Sequence, residues 1–183
     1  MSSAERITRD RIAADLRRAV RDVPDFPKRG ILFKDITPVL LDAALFARAT
    51  AALAAPFAGQ GITHVVSVES RGFILGAPVA QALGASFVPV RKPGKLPSQT
   101  VREEYALEYG TDALEMHADA LDGARHVLVV DDVLATGGTA AATCRLVERA
   151  GAHVSACTFL IELTFLNGRA ALEGRHVEAL LTY

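Results

Sequence analysis

Runs of apolar residues, each about the length of one strand and separated by segments with helical periodicity, constrain the fold of this chain most strongly. Strands are predicted at THVVSVES, SFVPVRK, HVLVVDD and HVSACTFLIEL, with helices at GAPVAQALGA and over residues 139–150. Strands that are apolar throughout are buried on both faces, and their alternation with helices is typical of a parallel sheet. The sequence therefore predicts an α/β protein with a twisted, mostly parallel sheet flanked by helices.

The first part of the chain departs from this alternation. Apolar residues at helical spacing predict an amphipathic helix over residues 4–23, and Pro24 and Pro27 are expected to end it. The next segment, PDFPKRGILFKDITPVL, is too rich in Pro and Gly to be regular throughout, and Asp42 is expected to cap the helix that follows. A length of 183 residues suits one domain.

Charge and composition exclude several classes of protein. The formal net charge is -1, from 20 Lys and Arg against 21 Asp and Glu, which argues against a general surface for DNA or RNA. No apolar run approaches the roughly 20 residues of a membrane span, and the charged N-terminus has no apolar signal region. Cys144 and Cys157 lack metal-ligand spacing and are expected to be buried and reduced. We expect a cytoplasmic protein with neither a nucleic acid nor a membrane as partner.

Residues 92–110, KPGKLPSQTVREEYALEYG, lie between two predicted strands and show no clear periodicity. An irregular segment of this length is uncommon inside a compact domain, and it is usually a functional lid or a disordered insert. The aromatic and charged side chains favour the lid. We name residues 92–110 the lid segment.

Two adjacent aspartates, Asp131 and Asp132, end the strand that is predicted to be central. Ligands of open parallel sheets bind beyond the carboxyl ends of the strands. Neighbouring carboxylates repel each other and resist burial, so they need hydrogen-bond donors or a cation nearby. The paired hydroxyls of a ribose would supply such donors.

The turn after the aspartates, ATGGT, has the properties of an anion cradle. Gly137 and Gly138 allow close backbone approach, Thr136 and Thr139 offer hydroxyls, and a helix dipole lies behind the amides. A diol site beside a phosphate cradle predicts a ribose 5-phosphate ligand. In the alternative interpretation, the aspartates cap the helix and the glycines make a tight connection. No Lys-Ser/Thr follows the glycines, which disfavours nucleoside-triphosphate hydrolysis.

The DDVLATGGT segment resembles the phosphoribosyl-pyrophosphate-binding motif of the type I phosphoribosyltransferases. Across roughly residues 24–183, the segments FPKRGILFKDITPVL, ESRGF, VRKPGKLP, LEYG and VLATGGT are similar, in order, to the adenine-specific members of that family. The resemblance implies the type I phosphoribosyltransferase fold in one domain over residues 1–183. A small N-terminal hood would cover about residues 1–40, and a flexible lid loop about residues 92–110.

The resemblance also implies a reaction. The 5-phosphoribosyl group of 5-phosphoribosyl-1-pyrophosphate would pass to adenine, giving AMP and pyrophosphate in purine salvage. Mg²⁺ would be the cofactor, held mainly by the pyrophosphate and ribose hydroxyls of the substrate, so no protein metal ligand is expected. Members of the family pair as homodimers, and the apolar segment RGFILGAPVA would suit a symmetric interface.

By position in these motifs, the resemblance assigns roles in binding the phosphoribosyl donor. Asp131 and Asp132 would hold the ribose hydroxyls, while Arg71 and Lys95 would meet the pyrophosphate. The 5-phosphate would lie against the turn residues Ala135, Thr136, Gly137, Gly138 and Thr139.

The same transfer assigns the residues around the base. Glu108 would handle the proton on the imidazole-ring nitrogen of adenine, with Glu103 and Glu104 as close rivals in the lid segment. Phe33 and Val133 would sandwich the purine, although Val133 replaces the leucine that is more usual there. The backbone of Leu32 and Lys34 would recognise the Watson–Crick edge, and Tyr105 and Tyr109 would help to close the lid.

Two other functions fit part of this pattern. A sister transferase for xanthine or another 6-oxopurine would share the two aspartates, but FKDIT together with LATGGT points to adenine. A regulator that binds the phosphoribosyl donor without turning it over would be expected to carry a basic DNA-binding module. No such module is evident in this near-neutral sequence.

Overall fold

The computed structural model describes residues 3–106 and 110–183, and within these ranges it leaves the side chains of residues 3–8 and 106 undescribed. The chain forms two compact units, Met1–Ala52 and Leu53–Tyr183. None of the helices in the described ranges has the length and apolar character needed to cross a bilayer.

The first unit combines helices with a small antiparallel ribbon. It contains α1 (Ser3–Ala19), β1 (Arg21–Pro24), β2 (Leu32–Asp35), α2 (Thr37–Leu41) and most of α3 (Ala43–Ala54). The predicted first helix is therefore too long, because residues 21–24 pair with β2 instead. Pro24 accounts for this early end, since the residue before a proline is biased towards extended backbone. The predicted cap is confirmed, because Asp42 Oδ1 accepts a hydrogen bond from Leu45 N at 3.0 Å.

The second unit is built on a five-stranded parallel sheet with the order β4-β3-β7-β8-β9. Its strands are β3 (His64–Val68), β4 (Ser86–Val90), β7 (His126–Leu134), β8 (His153–Glu162) and β9 (Val177–Thr182). Helix α4 (Arg71–Leu83) connects β3 to β4, and α5 (Gly138–Arg149) connects β7 to β8. The predicted parallel sheet is confirmed, with β7 at its centre, whereas β9 was not predicted.

Part of the lid segment is regular, which corrects the prediction of an irregular loop. Strand β5 (Thr100–Ala106) pairs antiparallel with β6 (Thr111–His117). Alternation explains this strand, because Val101 and Tyr105 pack on the core cluster while Arg102 and Glu104 are exposed. Residues 107–109 lie outside the described ranges.

Valine, leucine and cysteine side chains of β7, β8 and α5 fill the interior of the second unit. Cys144 on α5 and Cys157 on β8 are fully buried free thiols, as predicted, with their Sγ atoms 3.5 Å apart. The buried strands hold fixed the loops that follow β3 and β7, and these loops carry the predicted site.

Candidate active site

A cavity of about 410 Å³ lies at the carboxyl ends of the neighbouring strands β3 and β7. Two segments of the second unit line it, residues 68–71 and residues 131–140. The structure thus brings Arg71 together with both aspartates, Val133 and the glycine-containing turn. This is the edge of a parallel sheet at which ligands bind.

Asp132 forms an ion pair with Arg71 inside this cavity. Its Oδ2 lies 2.5 Å from Arg71 Nε, and the residue is only 7% exposed. A buried carboxylate is tolerated when a cation compensates its charge. The guanidinium remains about half exposed, so part of it stays available to an anionic ligand.

Asp131 has a different environment from its neighbour. Its Oδ1 accepts a hydrogen bond from the backbone N–H of Asp132 at 2.9 Å. Desolvation, reinforced by the negative charge of Asp132, raises the pKa of Asp131 well above the usual aspartate range. The charged form of Asp131 is thus disfavoured in this environment. Hydroxyl groups of a ligand could stabilise that form by donating hydrogen bonds to the carboxylate.

The turn after β7 presents the start of α5 to the cavity. Gly137 has φ +83°, a conformation that favours glycine, and it is the N-cap residue immediately before the helix. No side chain caps α5, so the alternative in which the aspartates cap this helix is wrong. The first amides of a helix have no acceptor within it, and together with the dipole they attract anions.

A chain of polar contacts joins this turn to the β5–β6 hairpin. Thr139 Oγ1 donates to the hydroxyl of Tyr105 at 3.3 Å, and that hydroxyl donates to Asp112 Oδ2 at 3.2 Å. Lys92 forms an ion pair with Asp112, and this contact lowers the pKa of Asp112 and raises that of Lys92. Tyr105 is only 8% exposed, and it pairs with Asp112 near the connection between the two strands. Its hydroxyl contacts the turn directly through Thr139.

Glu69 lines the cavity and was not singled out from the sequence. Burial opposes its ionisation, but hydrogen bonds from Arg91 and from the backbone of Lys92 outweigh burial and lower the pKa of Glu69. Arg91 Nε lies 2.6 Å from Glu69 Oε2, and Arg91 Nη1 donates to the Lys95 carbonyl at 3.0 Å. The signal was available, because Glu69 begins the same ESRG segment that contains Arg71.

Another carboxylate, that of Glu103 on β5, binds the hairpin to α5. It accepts hydrogen bonds from Arg145 Nε at 2.5 Å and Arg149 Nη1 at 2.8 Å. The bond from Arg145, followed by that from Arg149, outweighs partial burial and lowers the pKa of Glu103.

Comparison with known proteins identifies the chemistry that this arrangement serves. The model of the phosphoribosyl transferase domain matches residues 39–173. Adenine phosphoribosyltransferase of Myxococcus xanthus is 58% identical over 177 residues, which cover 97% of this chain and 96% of that protein. Its counterpart in Thermotoga neapolitana is 53% identical over 169 residues, covering 92% and 99%. The chain belongs to the adenine phosphoribosyltransferase family.

Solved structures of adenine phosphoribosyltransferases share the fold. The enzyme of Thermoanaerobacter pseudethanolicus superposes with a TM-score of 0.90 at 51% identity, covering 93% of this chain and 99% of that one. The Saccharomyces cerevisiae enzyme gives a TM-score of 0.88 at 41% identity, with the same coverage. That structure was solved with adenine and D-2,5-dideoxy-2,5-imino-altritol 1,6-bisphosphate. The predicted type I phosphoribosyltransferase fold is confirmed.

Not every residue assigned from the family motifs lies in the cavity. Lys95 is exposed and does not line it, although its carbonyl is bound through Arg91 to Glu69. Leu32, Phe33 and Lys34 form β2 of the first unit. Glu108 and Tyr109 lie outside the described residues, so their assigned roles remain predictions.

The charged groups of the cavity fit a divalent cation that is bound through its ligand. Within residues 3–106 and 110–183, no cluster of three His, Cys, Asp or Glu side chains could hold a metal ion. Asp132 and Glu69 are already paired with arginines. Mg²⁺ often binds through few protein carboxylates together with substrate phosphates, and this cavity suits that mode.

Proposed function

We infer that this chain transfers the 5-phosphoribosyl group of 5-phosphoribosyl-1-pyrophosphate to adenine, giving AMP and pyrophosphate in purine salvage. The observation that carries this conclusion is the pair Asp131–Asp132 placed beside the start of α5 in one cavity. A diol site and an anion cradle at this spacing suit a ribose 5-phosphate. Membership of the adenine phosphoribosyltransferase family gives the same reaction.

The aspartates and the turn would divide the donor between them. Asp131 and Asp132 would accept hydrogen bonds from the ribose hydroxyls, while residues 135–139 would hold the 5-phosphate through amides and hydroxyls. The transition state carries positive charge on the sugar, which neighbouring carboxylates stabilise electrostatically. Holding both reactants in line lowers the barrier further.

Arg71 and Lys95 are proposed to meet the pyrophosphate. The exposed part of the Arg71 guanidinium lies at the cavity, beside Asp132. Lys95 would approach the pyrophosphate from its own loop. Arg91 links that loop to the cavity, because it donates hydrogen bonds both to the Lys95 carbonyl and to Glu69. The cavity suits Mg²⁺ held through the substrate, and the ion, when bound, would neutralise charge on the leaving pyrophosphate.

Leu32, Phe33, Lys34 and Val133 are proposed to hold adenine, and Tyr105 and Tyr109 to support closure of the lid. The exposure of Leu32 supports the first assignment, since this residue is 47% exposed in a two-stranded ribbon. The bond between Tyr105 and Thr139 supports the second, because it links the hairpin to the phosphate cradle.

Glu108 is the proposed proton-handling residue. Its rival Glu103 has a lowered pKa and two arginine partners, which is unsuited to a group that must exchange a proton near neutral pH. The other rival, Glu104, is exposed and pairs with Arg102. Glu108→Gln is expected to lower kcat by roughly 10²- to 10⁴-fold, the usual contribution of a general acid or base.

The measurement for Glu108 is steady-state turnover together with binding of the phosphoribosyl donor. Glu104→Gln is the matched control, and it is expected to retain normal turnover. Near-normal donor affinity in Glu108→Gln would show that the variant is folded. Full turnover of that variant would remove Glu108 from the mechanism.

The whole proposal is tested by pyrophosphate release with Mg²⁺ and the donor across adenine, hypoxanthine, guanine, xanthine and uracil. We expect turnover with adenine and rejection of 6-oxopurines by roughly 10⁴-fold, because mismatched polar groups would be left unpaired. Turnover of a 6-oxopurine instead would keep the ribose-phosphate site but discard the assigned base recognition. Donor binding without turnover of any base would indicate a sensor.

A cytoplasmic location and a homodimer complete the proposal. The thiols of Cys144 and Cys157 lie close together without forming a disulfide, which suits a reducing compartment. The exposed face of α4 includes Ile74, a candidate contact between two copies.

A further inference from the structure

A short 3₁₀ turn, Gly168–Leu172, packs against the phosphate cradle from outside every motif singled out in the sequence. It follows β8 by a few residues. Gly168 and Leu172 are buried, while the three residues between them are exposed. We name this segment the buttress turn.

Two glycines bring the backbone of the buttress turn into direct contact with the cradle. A Cβ added to Gly168 would lie 2.2 Å from the Ala135 carbonyl oxygen. A Cβ added to Gly137 would lie 2.3 Å from the Gly168 carbonyl oxygen and 2.9 Å from Ala171 Cβ. The two carbonyl oxygens are backbone atoms, which cannot move aside as the end of a flexible side chain can. The shape of the cradle therefore depends on where the buttress turn lies.

An ion pair holds the buttress turn in place. Glu162, the last residue of β8, is only 4% exposed, and both of its carboxylate oxygens accept hydrogen bonds from Arg169 at 2.8 Å. Arg169 Nη1 also donates to the Val177 carbonyl of β9 at 3.0 Å. Such a two-pronged pair fixes orientation as well as distance. The buttress turn is thus fixed to the ends of two strands of the sheet.

We propose that the buttress turn sets the geometry of the 5-phosphate cradle, and that Glu162, Gly168 and Arg169 are positioning residues for phosphoribosyl ligands. This inference rests on the proposed function, since it requires a phosphate at the start of α5. The residues act through the Ala135 carbonyl and Gly137, which places the first amides of the helix. A misplacement of about 1 Å in such a site costs up to roughly 100-fold.

The test compares Gly168→Ala and Arg169→Lys with the unmodified protein. Gly168 does not have a positive φ, so alanine there adds a contact without backbone strain. Lysine keeps the charge at position 169 but loses the two-pronged geometry. We expect the KM for the phosphoribosyl donor and the Kd for ribose 5-phosphate to rise by roughly 10- to 100-fold in Gly168→Ala, and by less in Arg169→Lys. The KM for adenine should change by less than about twofold in both variants.

Matched controls separate positioning from general stability. Gly174→Ala strains a residue with φ +79° whose added Cβ would meet nothing. Arg175→Gln breaks another two-pronged pair, with Glu148, at the opposite end of α5. Both controls should lower the melting temperature without changing the affinity for ribose 5-phosphate.

The possible outcomes distinguish this inference from the function on which it rests. If the unmodified protein neither binds ribose 5-phosphate nor turns over adenine, the proposed function fails. The second outcome concerns an unmodified protein that binds ribose 5-phosphate and turns over adenine. If folded Gly168→Ala and Arg169→Lys then bind ribose 5-phosphate as tightly as that protein does, the buttress turn has only a structural role. Arg169→Lys keeps the test decisive should Gly168→Ala fail to fold. Equal rises in the KM for donor and adenine would also overturn the inference.

Discussion

At the scale of single residues, two adjacent aspartates differ in charge state because their surroundings differ. Asp132 is neutralised by Arg71 at 2.5 Å, whereas desolvation and the negative charge of Asp132 raise the pKa of Asp131. Under the proposed function, ribose hydroxyls would donate hydrogen bonds to this carboxylate and stabilise its charged form. Function and stability are opposed at Asp131.

Asp131→Asn is therefore expected to stabilise the ligand-free protein while weakening donor binding. An aspartate with a raised folded pKa contributes its full stability below its unfolded pKa, about 3.9, and loses that stability as pH rises through the folded pKa. Asparagine does not ionise and so lacks this loss. At neutral pH the free energy of unfolding of the variant should therefore rise by about 1 kcal/mol, which raises Tm by about 2–4 °C. Thermal unfolding from pH 4 to pH 8 measures the difference.

Asp132→Asn provides the opposite case for this prediction. It removes one partner of a buried ion pair with Arg71, so it should lower the melting temperature. Both variants should bind the donor more weakly than the unmodified protein. A lower melting temperature for Asp131→Asn at neutral pH would contradict the raised pKa.

At the scale of elements, the sequence predicts those strands and turns that depend on a short run of consecutive residues. Strands β3, β7 and β8 follow from buried apolar runs, and the cradle follows from five consecutive residues after a strand. Strand β5 was missed because prolines and charges at the start of the lid segment hide the alternation from Val101 to Tyr105. The buttress turn was also missed, since Gly168 meets Ala135 across more than thirty residues of chain, and no local pattern reports such a contact.

The β5–β6 hairpin, which includes part of the lid segment, is fixed to α5 through Glu103. Glu103→Gln would remove the charge that Arg145 and Arg149 share. Both arginines are partly exposed, so the loss is modest, and hydrogen exchange of the Thr100–Ala106 amides should accelerate by about threefold to tenfold. Exchange measured by mass spectrometry, with segments of the central strand β7 as reference, tests this.

Glu104→Gln is the control for the hairpin. The side chain of this neighbouring residue is 66% exposed and pairs with Arg102 of its own strand. In Glu104→Gln, hydrogen exchange of the Thr100–Ala106 amides should match that of the unmodified protein. Unchanged exchange in Glu103→Gln would mean that strand pairing alone holds the hairpin.

At the scale of the whole molecule, one sheet organises every part of the proposed site in the second unit. Strands β3 and β7 deliver Arg71 and the aspartates to one edge, and the end of β8 anchors the buttress turn beneath the same cradle. Helix α4 starts at this edge with Arg71, and exposed residues such as Ile74 follow within one turn of the helix. A partner on the exposed face of α4 would lie close to the groups of the proposed site.

This placement leads to a prediction about assembly. On α4, Ile74 is 41% exposed, and Ala77 and Gln81 share its face at helical spacing, which gives a surface low in charge. If two copies meet there in a symmetric interface, the chain will sediment at about twice 19.4 kDa.

Ile74→Glu places two like charges near the symmetry axis and should shift the protein to monomer at micromolar concentration. Phe165→Glu introduces the same charge at a residue that is 71% exposed outside α4, and it should remain dimeric. Dissociation by Phe165→Glu but not by Ile74→Glu would place the interface elsewhere, and a monomeric unmodified protein would exclude the dimer.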